Sequence, residues 1–297
     1  MFRLAYNTNG LAHHRLLDAL GLLAELGYEG VAITPDVGAL DPMCVEAREV
    51  AEVRRVSDEL GLELAVETGA RFVLDPREKH RPSLLEEAGG DRSRRLGMLL
   101  RSIDLAADLG ARVVSLWSGS APEGGGVEAG GHAPERREEL WKRLVDGLRP
   151  ALEHANGRGV ELAFEPEPGM FVERPTGYGE LIERLGADGE RLGLCLDVGH
   201  CVVSGDLPVG AVIREWAPRL LHVHLDDAPR GVHEHRMFGR GALDLGDALS
   251  ALLEVGYDGM AAVELSRDSH RGAEAAREAL AHLHRALGHS AGGCAEG

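Results

Sequence analysis

Eight times between residues 3 and 265 a short apolar run gives way to a longer amphipathic one, and that alternation leaves this chain very few architectures. The apolar runs are 3–6 (RLAY), 30–33 (GVAI), 62–67 (LELAVE), 112–117 (RVVSLW), 160–165 (VELAFE), 192–197 (LGLCLD), 220–225 (LLHVHL) and 260–265 (MAAVEL). Each has the length of a strand buried on both faces. The stretches 13–26, 44–60, 93–109, 134–157, 176–186, 208–217, 244–255 and 270–287 read as the intervening helices. Several strands follow a glycine-centred stop: ELGYEG, ELGLE, DLGAR, GRGVE and EVGYDG. Glycine just past a helix end supplies the left-handed cap, so these are helix-to-strand turns.

Eight strand–helix units are the count of a closed (β/α)8 TIM barrel, the expected α/β fold, formed as a single domain over 1–287 with 288–297 as a flexible tail. The competing fold is a doubly wound sheet, but no GxGxxG follows the first strand and no Pro/Gly/Ser linker divides the chain. The Gly-rich stretch 118–133 reads as a surface loop, since most of it lacks a basic residue to hold a phosphate.

Charge and cysteine usage narrow the partners. A net charge of −17 repels phosphate backbones, which disfavours nucleic acid. There is no apolar run of membrane-spanning length, and MFRLAYNTNG lacks the features of a signal peptide. Cys44, Cys195, Cys201 and Cys294 show no CxxC spacing, so reduced thiols in a cytoplasmic protein are expected. Homo-oligomerisation stays open.

In a barrel of this kind the site lies at the C-terminal ends of the strands. Strand three ends in Glu67, strand five in Glu165, strand six in Asp197 with His200 three residues on, and strand eight in Glu264. Strand seven carries His222, His224 and Asp226, which alternation points to one side. His224 stands at the height of the other donors; His222 lies a layer deeper, as a hydrogen-bonded core histidine or a site residue. Glu165, Asp197, His224 and Glu264 supply three carboxylates and an imidazole without thiolate, which suits one divalent ion (Mn²⁺, Mg²⁺, Co²⁺ or Zn²⁺) with positions open for substrate oxygens. The long loop 68–91 concentrates Arg71, Arg77, Lys79, His80 and Arg81 beside that site, which suits an anionic substrate. Arg71, Lys79 and His80 are the expected substrate contacts.

FEPEPG, LCLDVGH, LLHVHLDD, GRGALDLGDALSALLEVGYDG and AAVEL follow one another in an order that resembles the xylose isomerase-like TIM barrels, specifically over about 160–265 and loosely over the first half. That superfamily includes sugar phosphate isomerases and epimerases, ketose 3-epimerases, hydroxypyruvate isomerase, inosose dehydratase and apurinic-site endonucleases. The resemblance implies the same four ligands for the ion and makes His200 a contact to substrate or to a second ion. Where the endonuclease branch has two histidine ligands, at the ends of strands three and four, this chain has Glu67 and Trp117-Ser118-Gly119. His233-Glu234-His235 nevertheless resembles the loop that supplies the endonucleases with further ligands. A second ion held by Glu67, His200, His233 and His235 therefore stays open, with Glu67 and His235 otherwise substrate contacts.

The expected activity is isomerisation or epimerisation of a small sugar, sugar phosphate or related hydroxy-carbonyl (polyol) compound through an enediolate. Glu165 and Glu264 would approach from opposite sides of the mouth as the proton-transfer pair. Inosose-type dehydration uses the same logic. A phosphodiesterase on apurinic DNA and a non-catalytic binding barrel are the competing readings.

Overall fold

The computed structural model describes residues 1–69, 71–122 and 133–292. Its strands are β1 (Arg3–Asn7), β2 (Gly30–Ile33), β3 (Glu63–Glu67), β4 (Val113–Leu116), β5 (Glu161–Phe164), β6 (Leu192–Asp197), β7 (Leu220–Leu225) and β8 (Met260–Val263). Each pairs in parallel with the next, and β8 returns to β1 to close the barrel. Around it lie α1 (Leu16–Leu26), α2 (Ala47–Leu60), α3 (Gly90–Leu109), α4 (Pro134–Arg158), α5 (Pro175–Leu185), α6 (Val198–Ser204), α7 (Val209–Trp216), α8 (Leu245–Glu254) and α9 (Gly272–Gly292). The expected glycine stops are real. Gly27, Gly61, Gly110 and Gly159 end α1 to α4 at φ of 100°, 69°, 76° and 69°, conformations that a side chain would strain.

Two elements differ from expectation. The α6 helix was not legible, because its seven residues after β6 are too few to show periodicity. It forms because Asp197 caps it, its Oδ1 accepting the His200 N–H at 2.8 Å. At the other end, α9 runs to Gly292, so 288–292 extend a helix that no proline interrupts rather than beginning a tail. Residues 293–297, like 123–132 of the Gly-rich loop, lie outside the described residues.

Strand alternation divides the barrel wall. Leu4, Tyr6, Val31, Ile33, Leu64, Val66, Leu162 and Phe164 face outward and pack under the helices in the main core. The lumen is different. Its floor is a separate small cluster of Ala5, Ala32, Ala65, Ala262 and Met260. Met260 fills the space beneath Gly30, where a Cβ would lie 2.4 Å from its Sδ. Barrels commonly fill this volume with branched aliphatic side chains. Alanines here leave room for long polar side chains to reach inward above them. Register then sets their height: Glu67 pairs with Ser115, Asp197 with His224, and His224 with Ala262.

Candidate metal centre at the barrel mouth

Four strands bring Glu165, Asp197, His224 and Glu264 together, with their ligating atoms all within 4.8 Å of one another. His224 on β7 is the hub. Its Nδ1 lies 3.1 Å from Glu165 Oε1, 3.0 Å from Glu264 Oε2 and 3.8 Å from Asp197 Oδ2. Glu165, Asp197 and His224 are buried; Glu264 is partly covered and receives a hydrogen bond from Asn9 Nδ2 at 2.7 Å.

The donor set fits a divalent cation. Asp197 Oδ2 is buried yet has no hydrogen-bond partner among the described residues, although Oδ1 of the same carboxylate is engaged. A buried carboxylate oxygen without a donor is costly unless positive charge faces it. Protonation equilibria point the same way. Burial alone would discharge His224, but Cys195, Glu165, Glu67 and Glu264 around it carry its pKa well above the ordinary imidazole value. Burial also opposes ionisation of Glu264, yet His235 and His224 hold its carboxyl well below the usual range. Burial pushes Glu165 up to about 7, helped by Glu264 and Asp197 and resisted by His224. Three carboxylates thus compete for one ring's positive charge, and an ion among them would take over that role.

Beside this centre stands a histidine cluster. His200, on α6, lies with its Nδ1 3.2 Å from the Pro166 carbonyl and its Nε2 3.0 Å from His233 Nε2. Burial pushes the His200 pKa down to about 4, so it is neutral near pH 7. His235 Nδ1 lies 2.8 Å from Asp226 Oδ2. Asp226 comes so close to α6 that a Cβ at Gly199 would lie 2.0 Å from its Oδ1, which is why glycine stands there. The loop carrying His233 and His235 is gathered by Asp227. Its carboxylate accepts the N–H groups of Ala228 at 2.9 Å, Gly239 at 2.9 Å, Gly241 at 2.8 Å and Leu243 at 2.9 Å.

The centre opens into a cavity of about 370 Å³, whose lining includes Asn9, Thr34, Trp117 and Glu167, with Arg71, Lys79 and Arg267 as its cations. Burial, with Glu165 and Glu264 nearby, pushes the Glu167 carboxyl up to about 8.

Residues 20–286 match the family description "xylose isomerase-like TIM barrel". The chain belongs to that family. Among curated relatives, the rhizopine catabolism protein MocC of Rhizobium meliloti is 29% identical over 297 positions, covering 92% of this chain and 83% of that protein. An inosose dehydratase of Lacticaseibacillus casei is 26% identical over 152 positions, 46% of this chain and 50% of that protein. This chain therefore aligns with only about half the length of that enzyme. Among solved structures, an L-ribulose 3-epimerase superposes with a TM-score of 0.76 at 20% identity, covering 98% of this chain and 96% of that one, a likeness of fold.

The four residues read as ligands from the strand ends are those the fold brings together, and His200 and His235 stand beside them. Three expectations change. Glu67 does not join His200 and His233. Instead it turns across the lumen to His222 and His224, whose Nε2 atoms lie 3.0 and 3.1 Å from its Oε1, with Ser115 Oγ donating to its Oε2. Burial would raise the Glu67 carboxyl, but His224 and His222 hold it at about 2. His222 is thereby part of this buried network rather than a separate core histidine. Among the basic residues of loop 68–91, Arg71, Lys79 and His80 line the cavity, whereas Arg81 is drawn off to Glu86 at 2.6 Å. His80 brings no charge: burial first, then Lys79, Arg95 and Arg71, push its pKa down to about 3, with its ring edge-on to Trp117 at 5.2 Å. Asn9, Thr34 and Glu167 were missed as site residues. The polar run Asn7-Thr8-Asn9, at the end of β1 and just beyond it, was the available signal for Asn9.

Proposed function

We propose that this chain is a divalent-metal-dependent isomerase or epimerase acting on a small sugar-like hydroxy-carbonyl compound. One observation carries the reading: Glu165 from β5 and Glu264 after β8 reach the same ring nitrogen of β7, with the unpartnered Asp197 oxygen 3.8 Å from it. A divalent ion held by Glu165, Asp197, His224 and Glu264 supplies, when bound, positive charge that acidifies a C–H beside a carbonyl and offsets the charge developing on its oxygens.

The chain's own groups do the rest. Glu165, with its pKa near 7, is suited to take and return a proton at carbon. Glu264 is kept ionised by His235 and His224 and aimed by Asn9, so it is the base that accepts a proton on the other face of the substrate, while protonated Glu165 supplies the one returned to carbon. His200 and His235 present ring nitrogens to substrate oxygens, or with His233 hold a second ion, their three ligating atoms also lying within 4.8 Å of one another. Lys79 and Arg71 give the outer cavity a positive side, which favours a phosphate or carboxylate on the substrate. Trp117 Nε1 and Asn9 Oδ1, both buried and without partners among the described residues, suit substrate hydroxyls.

Dehydration of an inosose is the second reading, favoured by the name of the L. casei relative. There the same two carboxylates would remove a proton beside the carbonyl and protonate the departing hydroxyl. The deciding experiment is metal analysis of the purified protein, followed by incubation in D₂O with ketopentoses, ketohexoses, their phosphates and inososes. Deuterium at carbon with the carbon skeleton and oxygen count intact supports isomerisation or epimerisation, and loss of water supports dehydration. Protein that holds no divalent ion, or that nicks abasic DNA and exchanges no carbon-bound proton, overturns both.

A further inference from the structure

We propose that Glu67 is a positioning residue, which fixes the ring nitrogen that His224 presents to the metal centre; this rests on the reading of that centre given above. His224 offers Nδ1 to Glu165, Asp197 and Glu264, while its Nε2 points the opposite way. A neutral imidazole has one N–H and one lone pair. Ligation through Nδ1 therefore requires the proton on Nε2, and a buried Nε2–H requires an acceptor.

Glu67 Oε1, 3.1 Å from Nε2, is that acceptor. Cys195 Sγ, 3.7 Å from Nε2, is only a weak acceptor. Glu67 stands on β3, four strands from β7, and so directly across the lumen. Its side chain can cross because Ala65, Ala32 and Ala262 leave the space below open. It is also held in place. Ser115, its register partner on β4, donates to Oε2. The carboxylate therefore has one orientation and the ring of His224 one tautomer. Neither Glu67 nor Ser115 is among the four residues around the proposed ion. Their effect reaches the ion through His224.

The test uses the full chain stripped of metal and titrated with Mn²⁺ against a competing chelator. Glu67→Leu removes the acceptor and is expected to weaken Mn²⁺ binding about 10- to 100-fold, the usual cost of losing a partner that orients a metal-binding histidine. Glu67→Gln keeps an oxygen for Nε2–H and can donate its amide to Ser115 Oγ, so it is expected to recover most of that affinity. The second readout is taken on the wild-type protein, with a folded variant used for assignment. In Zn²⁺-loaded wild-type protein labelled with ¹⁵N-histidine, the His224 ring, identified by its disappearance in His224→Gln, should show Nε2 protonated and Nδ1 metal-bound. A metal-bound Nε2, or wild-type Mn²⁺ affinity in folded Glu67→Leu, overturns the positioning role and leaves the functional reading intact. Wild-type protein that binds no divalent ion overturns both.

Discussion

Asp227→Asn is the perturbation whose size can be worked most directly from the structure. The Asp227 carboxylate is buried, and Oδ1 accepts the N–H groups of Ala228 and Leu243 while Oδ2 accepts those of Gly239 and Gly241. Asparagine keeps the shape, but in either amide orientation an NH₂ replaces one oxygen and faces two donors. Two hydrogen bonds to a charged group are lost, at about 1.5–3 kcal/mol each, so the neck of the loop should weaken by about 3–6 kcal/mol. At about 1.4 kcal/mol per decade, native-state hydrogen exchange at Gly239, Gly241 and Leu243 should accelerate about 100- to 10,000-fold. The barrel should stay folded and its four-donor centre should still bind one ion, while His233 and His235 lose their fixed places. Wild-type protection at those three amides in folded Asp227→Asn would refute this account of what gathers the loop.

Asp197→Asn and His224→Ala should each abolish tight binding of the divalent ion, measured by metal analysis after dialysis, because each removes a donor from a set of four. Glu165→Gln and Glu264→Gln should keep the fold but cost at least about 10²–10⁴-fold in kcat, the range for general acid–base catalysis, in the assay for whichever substrate exchanges deuterium. Lys79→Ala should raise KM for an anionic substrate, with the difference from wild type shrinking at high salt, whereas His80→Ala should act through lost shape and show no such salt dependence. Because the His80 pKa falls from 6.5 in the unfolded chain to about 3 in the fold, the unfolded state binds the extra proton between those values. Stability should therefore decline as pH drops through that window and stay level above it, and His80→Phe should flatten the slope in acid-unfolding curves.

All eight strands were legible in the sequence because strands buried on both faces appear as unbroken apolar runs, and glycine stops marked where several of them begin. The cluster of four donors was legible for a related reason: a carboxylate or imidazole ending such a run has nowhere to go but the mouth. Direction was harder. Glu67 ends its strand as Glu165 does, and nothing local reveals that it leans across the lumen; that depends on the alanines of other strands and on Ser115. The charge of His80 was misjudged because its neighbours' charges are visible in the sequence while its burial against Trp117 is not. The α6 helix, held by one capping carboxylate, is too short for any periodic signal.

The wall of the barrel and its loops carry different kinds of group. Asp197 and His224 lie within strands, and Glu165 and Glu264 follow immediately after them, joined to neighbouring strands by their own N–H groups. Arg71, Lys79 and His80 lie on the loop after β3, His233 and His235 on the loop after β7, and Arg267 beyond β8. On the proposed function, the groups that act on a C–H bond and those that hold the substrate thus lie in parts that can change at separate rates. Substitution or lengthening at the tip of the Asp227-gathered loop can change what the cavity admits while the four donors at the strand ends stay in register. A lineage built this way can take up new substrates without reinventing its chemistry.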